Sequence, residues 1–380
     1  MPKVCILSSV HQALDNRVFY REAQSLRSAG YDVTLIAIHP QSEIRAGVQI
    51  VGLPRLPRWQ RPQLWLKLFR LARAQNADIY HFHDPELLLV TPWLRWCTAK
   101  PTIYDIHEVY PDFIKVKDYM PAWLRYPIAW MFRWLEPLLA RLQSALVFSD
   151  DEIAKTFARL PQPKETLFNF PALEFVQNAA VQTQPDTPRP PLVLHLGGHE
   201  RNRGVHLMIQ AFSLVAQQFP DAQLLLVGHF VPPALEAEVR AHIRSKSLEQ
   251  SITITGQVPF EKIGEYLAQA AVGWVPWQSY PKNEKNIPTK LFEYMAYGVP
   301  IVASDLASTR PFVRDGENGY CVAAADPRAH AQAILKILQN PTAGLAMGRR
   351  GQQAVQSRYN WDSESKKLIA LYQTLLTPKP

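Results

Sequence analysis

Two separated segments in the second half of the chain combine residue types that suit a phosphate-binding site. In the first, residues 194–204 read LHLGGHERNRG, so a strand-like run ends in Gly197 and Gly198, and a cationic loop with Arg203 leads into a helical pattern. Glycines let the backbone approach a ligand closely, a helix N-terminus favours an anion, and arginine offers a fork of donors. A tight turn with a solvated arginine is the alternative, and the spacing is not the G-x-G-x-x-G of nicotinamide-cofactor sites.

The second segment, residues 286–304, reads NIPTKLFEYMAYGVPIVAS and contains a predicted helix. Pro288 suits the first turn of that helix and Gly298 suits its end. Lys290 falls in the first turn, where the helix dipole disfavours a cation by about 0.3–1 kcal/mol unless an anion is near. Glu293 lies on the same face at i+3. The pair therefore indicates an anion site, with an ordinary Lys–Glu surface pair as the alternative.

Histidines and carboxylates follow two apolar runs in the first half of the chain. Residues 80–84 read YHFHD and residues 104–108 read YDIHE, which places His83, His107 and Glu108 where strands of a sheet would end. Open α/β sheets bind ligands beyond these ends. Histidine and aspartate are also metal ligands, but H-x-H-D without a third spaced ligand is weak evidence, and the sequence has no D-x-D pair. We therefore expect no metal.

The loop at residues 8–17 is a further polar segment at a predicted strand end. It reads SSVHQALDNR and contains Asp15 and Arg17. It either contacts a substrate or forms a capped turn into the helical pattern that follows.

The elements that must position these residues alternate between short apolar runs and helical patterns. This alternation predicts two parallel, doubly wound α/β sheets. The predicted strands are 4–10, 33–39, 48–53, 79–83, 102–106 and 145–149 in the first half, and 192–196, 223–227, 252–255, 272–275, 300–303 and 320–323 in the second. The polar, proline-rich stretch QNAAVQTQPDTPRPP interrupts the alternation. We therefore predict domains at 1–175 and 192–360, a linker at 176–191, and a last helix at 361–377 that packs back at the domain junction.

Composition narrows the kind of partner and the compartment. The chain has 380 residues and a net charge of +8, which favours an anionic partner such as a nucleotide, a phospholipid surface or a nucleic acid. Nucleic acid ranks last because no nucleic-acid motif accompanies the charge. The three cysteines have no metal-ligand or disulfide spacing, the N-terminal apolar run is too short for a secretion signal, and no run reaches the length of a membrane span. We expect a cytoplasmic protein.

The motifs together resemble those of family 4 glycosyltransferases. The most specific match is TKLFEYMAYGVPIVAS followed by VRDGENGYCV, and LHLGGHERNRG, DIYHFHD, YDIHEVYP and the terminal YNW are also similar. The resemblance implies the GT-B fold, in which two Rossmann-like doubly wound domains face each other across a cleft. It implies an N-terminal acceptor-binding domain, a C-terminal donor-binding domain and transfer with retention of configuration. Because the sequence has no D-x-D pair and offers cations instead, Arg203, Lys290 and the helix N-terminus are expected to stabilise the leaving phosphate.

The resemblance also assigns residues to roles. His107 matches the family's cleft histidine, Arg203 takes the place of its diphosphate-binding lysine, and Glu293 matches the second glutamate of its E-x7-E motif. The implied catalytic residues are His107, Arg203 and Lys290. The implied donor-binding residues are Gly197, Gly198, Arg201, Arg203, Gly256, Lys290, Leu291 and Glu293. The implied acceptor-binding residues are Asp15, Arg17, His83 and Glu108. Two positions depart from the family pattern. Gly198 stands where the family has an arginine, and Lys285 stands where it has the first glutamate of E-x7-E, with Glu284 one place away.

The expected function is transfer of a sugar from a nucleoside-diphosphate sugar, with UDP preferred to GDP, to a lipid-linked or saccharide acceptor in cell-surface polysaccharide synthesis. No other cofactor is expected. Two alternatives stay open: a nucleotide-sugar 2-epimerase, and a non-catalytic partner subunit that only binds the sugar nucleotide.

Two basic and aromatic segments suggest contact with an anionic membrane surface, on the inner face of the cell membrane. Residues 62–73 repeat basic side chains at helical spacing, and their apolar side chains are expected to supply apolar surface beside them: Leu64, Trp65, Leu68 and Leu71. Residues 121–139 concentrate aromatic side chains beside arginines. Tryptophan and basic residues suit the headgroup region of a bilayer. The alternative is that the aromatic side chains fill the core or the domain junction.

Overall fold

The computed structural model describes residues 1–115, 120–182, 187–259 and 262–377. The chain divides into two units. The first takes Met1–Asn169 together with the C-terminal segment from Trp361, and the second takes Phe170–Asn360. Both are mixed α/β units built on mainly parallel sheets, as the alternation of apolar runs and helical patterns predicts.

The first unit contains an eight-stranded sheet with strand order β3-β4-β2-β1-β5-β6-β7-β8. Its strands are β1 Lys3–Gln12, β2 Asp32–Ile38, β3 Glu43–Arg45, β4 Val48–Leu53, β5 Ile79–Phe82, β6 Thr102–Ile106, β7 Ala145–Phe148 and β8 Lys164–Thr166. All neighbouring pairs are parallel except β3 with β4. The strand order reverses beside β1, which lies between β2 and β5. Ligands of open sheets bind beyond the carboxyl ends of the strands at this kind of switch point.

Helices cover both faces of this sheet. They are α1 Gln24–Ser28, entered through a π-helical turn at Val18–Ala23, and α2 Pro62–Ala74, α3 Thr91–Thr98, α4 Tyr110–Lys115, α5 Ala122–Ala140 and α6 Asp151–Thr156. Leu68, Leu94 and Ala140 share one core cluster with the strands, so α2, α3 and α5 lie on the same face. Such placement follows from right-handed crossovers that all move in one direction along the sheet.

The second unit contains a six-stranded, fully parallel sheet with strand order β11-β10-β9-β12-β13-β14. Its strands are β9 Leu192–Leu196, β10 Gln223–Val227, β11 Ile252–Gly256, β12 Val272–Val275, β13 Ile301–Ser304 and β14 Gly319–Val322. This is the doubly wound order of dinucleotide-binding folds, and its switch point lies between β9 and β12.

The helices of the second unit cover both faces of its sheet. They are α7 Leu173–Gln182, α8 Val205–Gln218, α9 Leu235–Ser245, α10 Ile263–Gln269, α11 Pro281–Lys285, α12 Lys290–Ala296, α13 Pro327–Leu338 and α14 Pro341–Ser357. Trp274 is fully buried in this unit, and its indole Nε1 donates a 3.1 Å hydrogen bond to His330 Nδ1. The last helix of the chain, α15 Trp361–Leu376, belongs to the first unit.

The unit boundaries differ from the predicted ones. Part of the predicted linker is α7, because its apolar side chains Val176 and Ala179 are buried, and the division between units falls after Asn169. Residues 183–186 of the predicted linker lie outside the described residues. The predicted last helix packs on the first unit, where Trp361 Nε1 donates to Arg21 O and Leu368 is buried.

A search of the helices in the described ranges finds none long and apolar enough to cross a membrane.

Candidate functional site

In the first unit, Asp84 connects the ends of two neighbouring strands. It lies two residues after the end of β5, and its Oδ2 accepts hydrogen bonds from Ser8 Oγ at 2.7 Å and from the backbone N–H of Ser9 at 2.6 Å. Both serines lie near the carboxyl end of β1. His11 Nε2 lies 3.6 Å from the other oxygen of Asp84. Residues 8–12 of the predicted loop thus belong to β1, and these hydrogen bonds fix the polar segment at the switch point of the sheet.

Below this loop, a buried carboxylate on β6 meets two histidines. Asp105 Oδ2 lies 3.4 Å from His107 Nε2 and 3.3 Å from His83 Nδ1, and these two ring nitrogens lie 3.1 Å from each other. Arg17 contacts the same carboxylate with two nitrogens, at 2.9 Å to Oδ2 and 3.1 Å to Oδ1. His107 lies at the partly exposed edge of the group, whereas Asp105 and His83 are fully buried. The arrangement can fix the ring orientation of His107.

Four buried side chains in this region are of metal-ligating types. Glu22, His81, His83 and Asp105 each offer an atom within 4.8 Å of the others. Metal binding by the motif H-x-H-D was discounted for want of a third spaced ligand, and no pattern in the sequence pointed to Glu22. Arg17 Nε lies 2.9 Å from Oε1 of Glu22 and from Oδ2 of Asp105, so a fixed cation already faces both carboxylates. This placement favours a proton-sharing cluster over a dication site.

The protonation states follow from burial and from Arg17. Burial alone would raise the pKa of Asp105, but Arg17 and His107 outweigh it and hold that pKa well below its ordinary value. Burial and the neighbouring Asp105 raise the pKa of Glu22 well above the ordinary value. Burial lowers the pKa values of His81 and His83. The cluster thus contains an ionised Asp105 paired with Arg17, a protonated Glu22 and neutral histidines.

Two of the predicted acceptor-binding residues lie too deep for direct contact with an acceptor. Arg17 is 4% exposed, and it also donates to the backbone oxygen of Leu167 and to Asn169. His83 is fully buried beneath His107. Their predicted role in binding the acceptor therefore does not fit the structure, because both side chains are buried and support His107 from below.

The other two predicted acceptor residues lie nearer to solvent. Asp15 Oδ1 accepts from the backbone N–H groups of Arg17 and Val18, so it caps the π-helical turn. Burial would raise the pKa of Asp15, but hydrogen bonds from His11 and Val18 lower it below the ordinary value. Glu108 directly follows His107 and is half-buried.

In the second unit, the two phosphate-type segments meet at one point. A side-chain carbon built on Gly197 would lie 3.6 Å from Arg203 Nη1 and 3.8 Å from Lys290 Cε. The same construction on Gly198 gives 3.5 Å to Arg203 Nη1 and 3.9 Å to His229 Nε2. Two cations from separate parts of the sequence therefore lie beside the glycine loop after β9. This is the geometry expected of an anion site.

The position of Arg203 depends on a close approach between two loops. Gly204 has φ +81°, and a side-chain carbon there would lie 2.1 Å from the carbonyl oxygen of Pro276, which follows β12. Gln278 N–H donates to Asn202 O at 2.8 Å and closes the same contact. The guanidinium of Arg203 lies 5.4 Å from the ring centre of Trp277. Only glycine permits this approach, which places α8 with its N-terminus directly after Arg203.

Lys290 and Glu293 form an ion pair on one face of α12. Lys290 Nζ lies 2.9 Å from each carboxylate oxygen of Glu293, and both side chains are largely buried. The predicted i+3 pair thus exists, but it lies beside Gly197 rather than on open surface. Glu293 fixes the ammonium group of Lys290 next to the glycine loop.

Three other predicted donor residues have different surroundings. Arg201 pairs with Glu238 on α9 and contacts His206 at 3.0 Å, so its side chain points away from Gly197. Arg201, which is predicted to bind the donor, is therefore held by α9 and His206 instead. The side chain of Leu291 is fully buried in the core and is no ligand contact. Gly256 ends β11 with φ +74° and accepts from Gly228 N–H at 2.9 Å, which places it on the same sheet edge as Gly197.

Glu284, next to the position of the missing first glutamate of E-x7-E, stabilises the local fold. Glu284 accepts from Ser279 Oγ at 2.6 Å and from the backbone N–H of Ala307 at 2.9 Å, one bond to each carboxylate oxygen. It therefore ties α11 to the loop after β13. This use of both oxygens makes Glu284 a poor substitute for the missing glutamate at Lys285.

The sequence analysis missed a group of histidines around the glycine loop. His195 and His199 flank Gly197 and Gly198, and both are buried. Burial lowers the pKa of His195 to about 4 and that of His199 to about 3, with Arg203 adding to the effect. The imidazoles are therefore neutral, and the positive charge at this end of the sheet comes from Arg203 and Lys290. The spacing H-x-x-x-H was visible in the sequence, but it gave no sign of this placement.

A doubly wound sheet with a glycine loop and two converging cations at its switch point defines a nucleotide-binding type of α/β unit. Residues 190–340 match the family model described as glycosyl transferases group 1, and residues 16–169 match the model described as a glycosyl transferase 4-like domain. The chain belongs to this group 1, family 4-like class of glycosyltransferases.

Individual relatives are more distant or match over shorter stretches. The chain is 32% identical to a phosphatidyl-myo-inositol mannosyltransferase of Mycobacterium leprae over 186 residues, which cover 49% of this chain and 47% of the relative. The chain thus spans about half the length of the curated relatives it matches first. Among solved structures, sucrose-phosphate synthase from Thermosynechococcus elongatus superposes with a TM-score of 0.73 at 20% identity, over 98% of each chain. Anabaena HepE in complex with UDP-glucose gives a TM-score of 0.71 at 14% identity, over 98% of this chain and 99% of that one. These likenesses establish the GT-B fold.

Proposed function

We propose that this chain is a retaining glycosyltransferase that uses a uridine-diphosphate sugar and transfers the sugar to a lipid-linked acceptor of cell-surface polysaccharide synthesis. The second unit binds the donor, and the first unit binds the acceptor and supplies His107. The observation that carries the proposal is the meeting of Arg203 and Lys290 beside Gly197.

The diphosphate of the donor binds at this point. Arg203, Lys290 and the backbone N–H groups at the start of α8 supply hydrogen-bond donors for the phosphates. Each cation also has a carboxylate beside it, with Glu200 3.2 Å from Arg203 and Glu293 2.9 Å from Lys290. As the bond between the anomeric carbon and the phosphate oxygen breaks, negative charge grows on the phosphate. Preorganised cations stabilise that charge, and loss of one such group typically costs about 10²–10³ in rate. We propose that no metal ion is needed for this step.

The nucleoside binds through Glu293. A carboxylate accepts hydrogen bonds from both hydroxyls of a ribose, and the bond of Glu293 to Lys290 links ribose recognition to phosphate recognition. The likeness to HepE, which was solved with UDP-glucose, supports uridine over guanosine as the base.

His107 contacts a hydroxyl group of the substrate. Its Nε2 faces Asp105 and His83, so we propose Nδ1 as the atom that meets a substrate hydroxyl. Asp105 and Arg17 hold the ring in that orientation from below. The M. leprae relative is named for a phosphatidyl-myo-inositol acceptor, which supports a lipid acceptor here and a place on the cytoplasmic face of the cell membrane.

Retention follows a front-face course. The acceptor oxygen attacks the anomeric carbon from the side on which the nucleoside diphosphate leaves. The acceptor proton passes to the leaving phosphate oxygen, so the products are the α-linked glycoside and UDP.

Thermal shift followed by product analysis tests the proposal. UDP should raise the melting temperature more than GDP does, and incubation with labelled UDP-sugars and a bacterial lipid extract should give a lipid-linked α-glycoside. If no nucleoside diphosphate stabilises the protein, the donor site is refuted. Binding of UDP without transfer would favour a non-catalytic partner subunit, and conversion of the free UDP-sugar at C2 would favour an epimerase.

A further inference from the structure

Six large aromatic side chains stand exposed on one side of the first unit. They lie on α3 and α5 and are between 61% and 78% exposed: Trp93, Trp96, Trp123, Tyr126, Trp130 and Trp134. We refer to these six residues as the aromatic face. Solvent-exposed tryptophan at this density marks an interaction surface.

The aromatic face is continuous along α5 and extends to α3. Trp123, Trp130 and Trp134 recur at intervals of seven and four residues, which places them on one stripe of the helix. The opposite stripe, with Ala129 and Ala140, packs into the core. Arg95 of α3 donates to the backbone oxygen of Leu142, just after α5, and so joins the two helices.

The helix α2 adds basic side chains, but little apolar surface, to this side of the unit. On α2, Leu64 and Leu68 are buried against the sheet, whereas Lys67, Arg70 and Arg73 are exposed. The outer side of α2 is therefore mainly basic, and the tryptophans of α3 and α5 supply the apolar surface beside it. The expectation that Leu64 and Leu68 form part of this apolar surface is wrong.

The exposed charged side chains of α2, α3 and α5 are all basic. Arg95, Arg133 and Arg141 are exposed among or beside the tryptophans. The sequences of α2, α3 and α5 contain one acidic residue, Glu136, which is buried and accepts a 2.8 Å hydrogen bond from Tyr104 OH. No carboxylate of these helices is exposed to pair with the arginines, so the surface is complementary to an anionic partner.

We propose that the aromatic face docks on an anionic phospholipid bilayer, with its rings in the headgroup region and the arginines on lipid phosphates. This inference rests on the lipid-linked acceptor of the proposed function, since docking brings the first unit to that acceptor. A second copy of the chain is a poorer occupant. A two-fold contact would set Arg133 and Arg141 of one copy against a surface of equal charge. Tryptophan beside basic residues suits the bilayer interface, where ring and charge are both satisfied.

Flotation with vesicles tests the surface. Full-length protein should bind vesicles of phosphatidylglycerol and phosphatidylcholine far better than phosphatidylcholine alone, and brominated lipid should quench its tryptophan fluorescence. Trp130→Ser/Trp134→Ser should weaken partitioning by at least about tenfold. Arg133→Glu/Arg141→Glu should weaken it by at least about 25-fold, since each basic residue near the surface contributes about fivefold.

Arg244→Glu/Lys246→Glu is the matched control. It makes the same charge change at the C-terminal end of α9 in the second unit, where both residues are exposed. Its partitioning should differ from that of the wild type by no more than about twofold beyond the effect of net charge. Thermal unfolding followed by circular dichroism reports the folding of both units in every variant, and calorimetry measures the affinity for UDP. Equal losses in the control and in Arg133→Glu/Arg141→Glu would overturn the proposed surface, as would absence of vesicle binding at low salt. If the wild type forms a dimer in the absence of lipid and the tryptophan variant is monomeric, the aromatic face serves self-association instead. Vesicle binding without any UDP binding would refute the proposed function and leave the docking surface standing.

Discussion

Asp105 lies directly beneath His107, with its Oδ2 3.4 Å from His107 Nε2, while Arg17 binds both oxygens of the same carboxylate. In a neutral imidazole either ring nitrogen can carry the proton and donate a hydrogen bond. A fixed carboxylate beside one nitrogen determines which nitrogen carries the proton. The catalytic histidine we propose is therefore supported by a buried ion pair that spans 88 residues of sequence.

Replacing His107 tests whether this support serves catalysis. We expect His107→Ala to fold and to bind UDP with wild-type affinity, while the transfer rate falls by about 10² or more. His242→Ala, on α9 of the second unit, is the control and should keep the wild-type rate. Turnover of His107→Ala within a few-fold of the wild type would reduce His107 to a packing role.

The stabilisation of the leaving phosphate by side chains predicts independence from divalent metal. Arg203 and Lys290 lie at the glycine loop and supply the positive charge that a metal would otherwise supply. Transfer measured after dialysis against excess chelator should proceed at the untreated rate. An absolute requirement for magnesium or manganese would contradict this account of the leaving group.

Glu293→Gln separates ribose recognition from phosphate recognition. The amide loses both the charged acceptor for ribose and the ion pair with Lys290, so affinity for UDP should fall by about 1.5–3 kcal/mol in calorimetry. Inorganic pyrophosphate has no ribose, and it should bind the variant at least as tightly as it binds the wild type. A parallel loss for both ligands would show that Glu293 only positions Lys290.

Glu136 predicts a pH dependence of stability in the first unit. Burial raises the pKa of Glu136 to about 8, and the hydrogen bond from Tyr104 offsets this only in part. The folded state keeps a proton that the unfolded chain releases above its ordinary pKa of 4.5. The stabilisation is therefore full below that pH and is lost as pH rises to about 8, by roughly 2–4 kcal/mol.

Urea unfolding at pH 5 and pH 9 measures this effect. Glu136→Gln keeps a neutral partner for Tyr104 and should remove most of the loss at pH 9, whereas Glu152→Gln, at an exposed position on α6, should behave like the wild type. An unchanged pH dependence in Glu136→Gln would show that the carboxyl group is ionised in the folded protein.

The fold was largely predictable because strands covered on both faces read as continuous apolar runs. The predicted strands 192–196 and 223–227 coincide with β9 and β10. The three-residue strands β3 and β8 were missed, since so short a segment has no measurable periodicity. Most of α7 was taken for linker because it runs into the polar, proline-rich residues 183–191, and because Val176 and Ala179 are the only buried ones among its described apolar side chains.

The candidate site was predictable where one local segment carries both the geometry and the charge. Arg203 follows its glycines by a few residues, and Lys290 precedes Glu293 by three. The contacts of Arg201 and Arg17 were not predictable in this way. Arg201 pairs with Glu238, 37 residues away, and Arg17 with Asp105, 88 residues away. Such partners depend on tertiary packing, which no local pattern encodes.

Calorimetric titration of UDP into two arginine variants of one turn tests the donor site most directly. Arg203 and Arg201 lie two residues apart, yet Arg203 faces Gly197 and Arg201 pairs with Glu238. We predict that Arg203→Ala weakens UDP binding by about 1.5–3 kcal/mol and that Arg201→Ala changes it by less than about 0.5 kcal/mol. Equal affinities of the wild type and Arg203→Ala, or an equal loss in both variants, would contradict the proposed donor site.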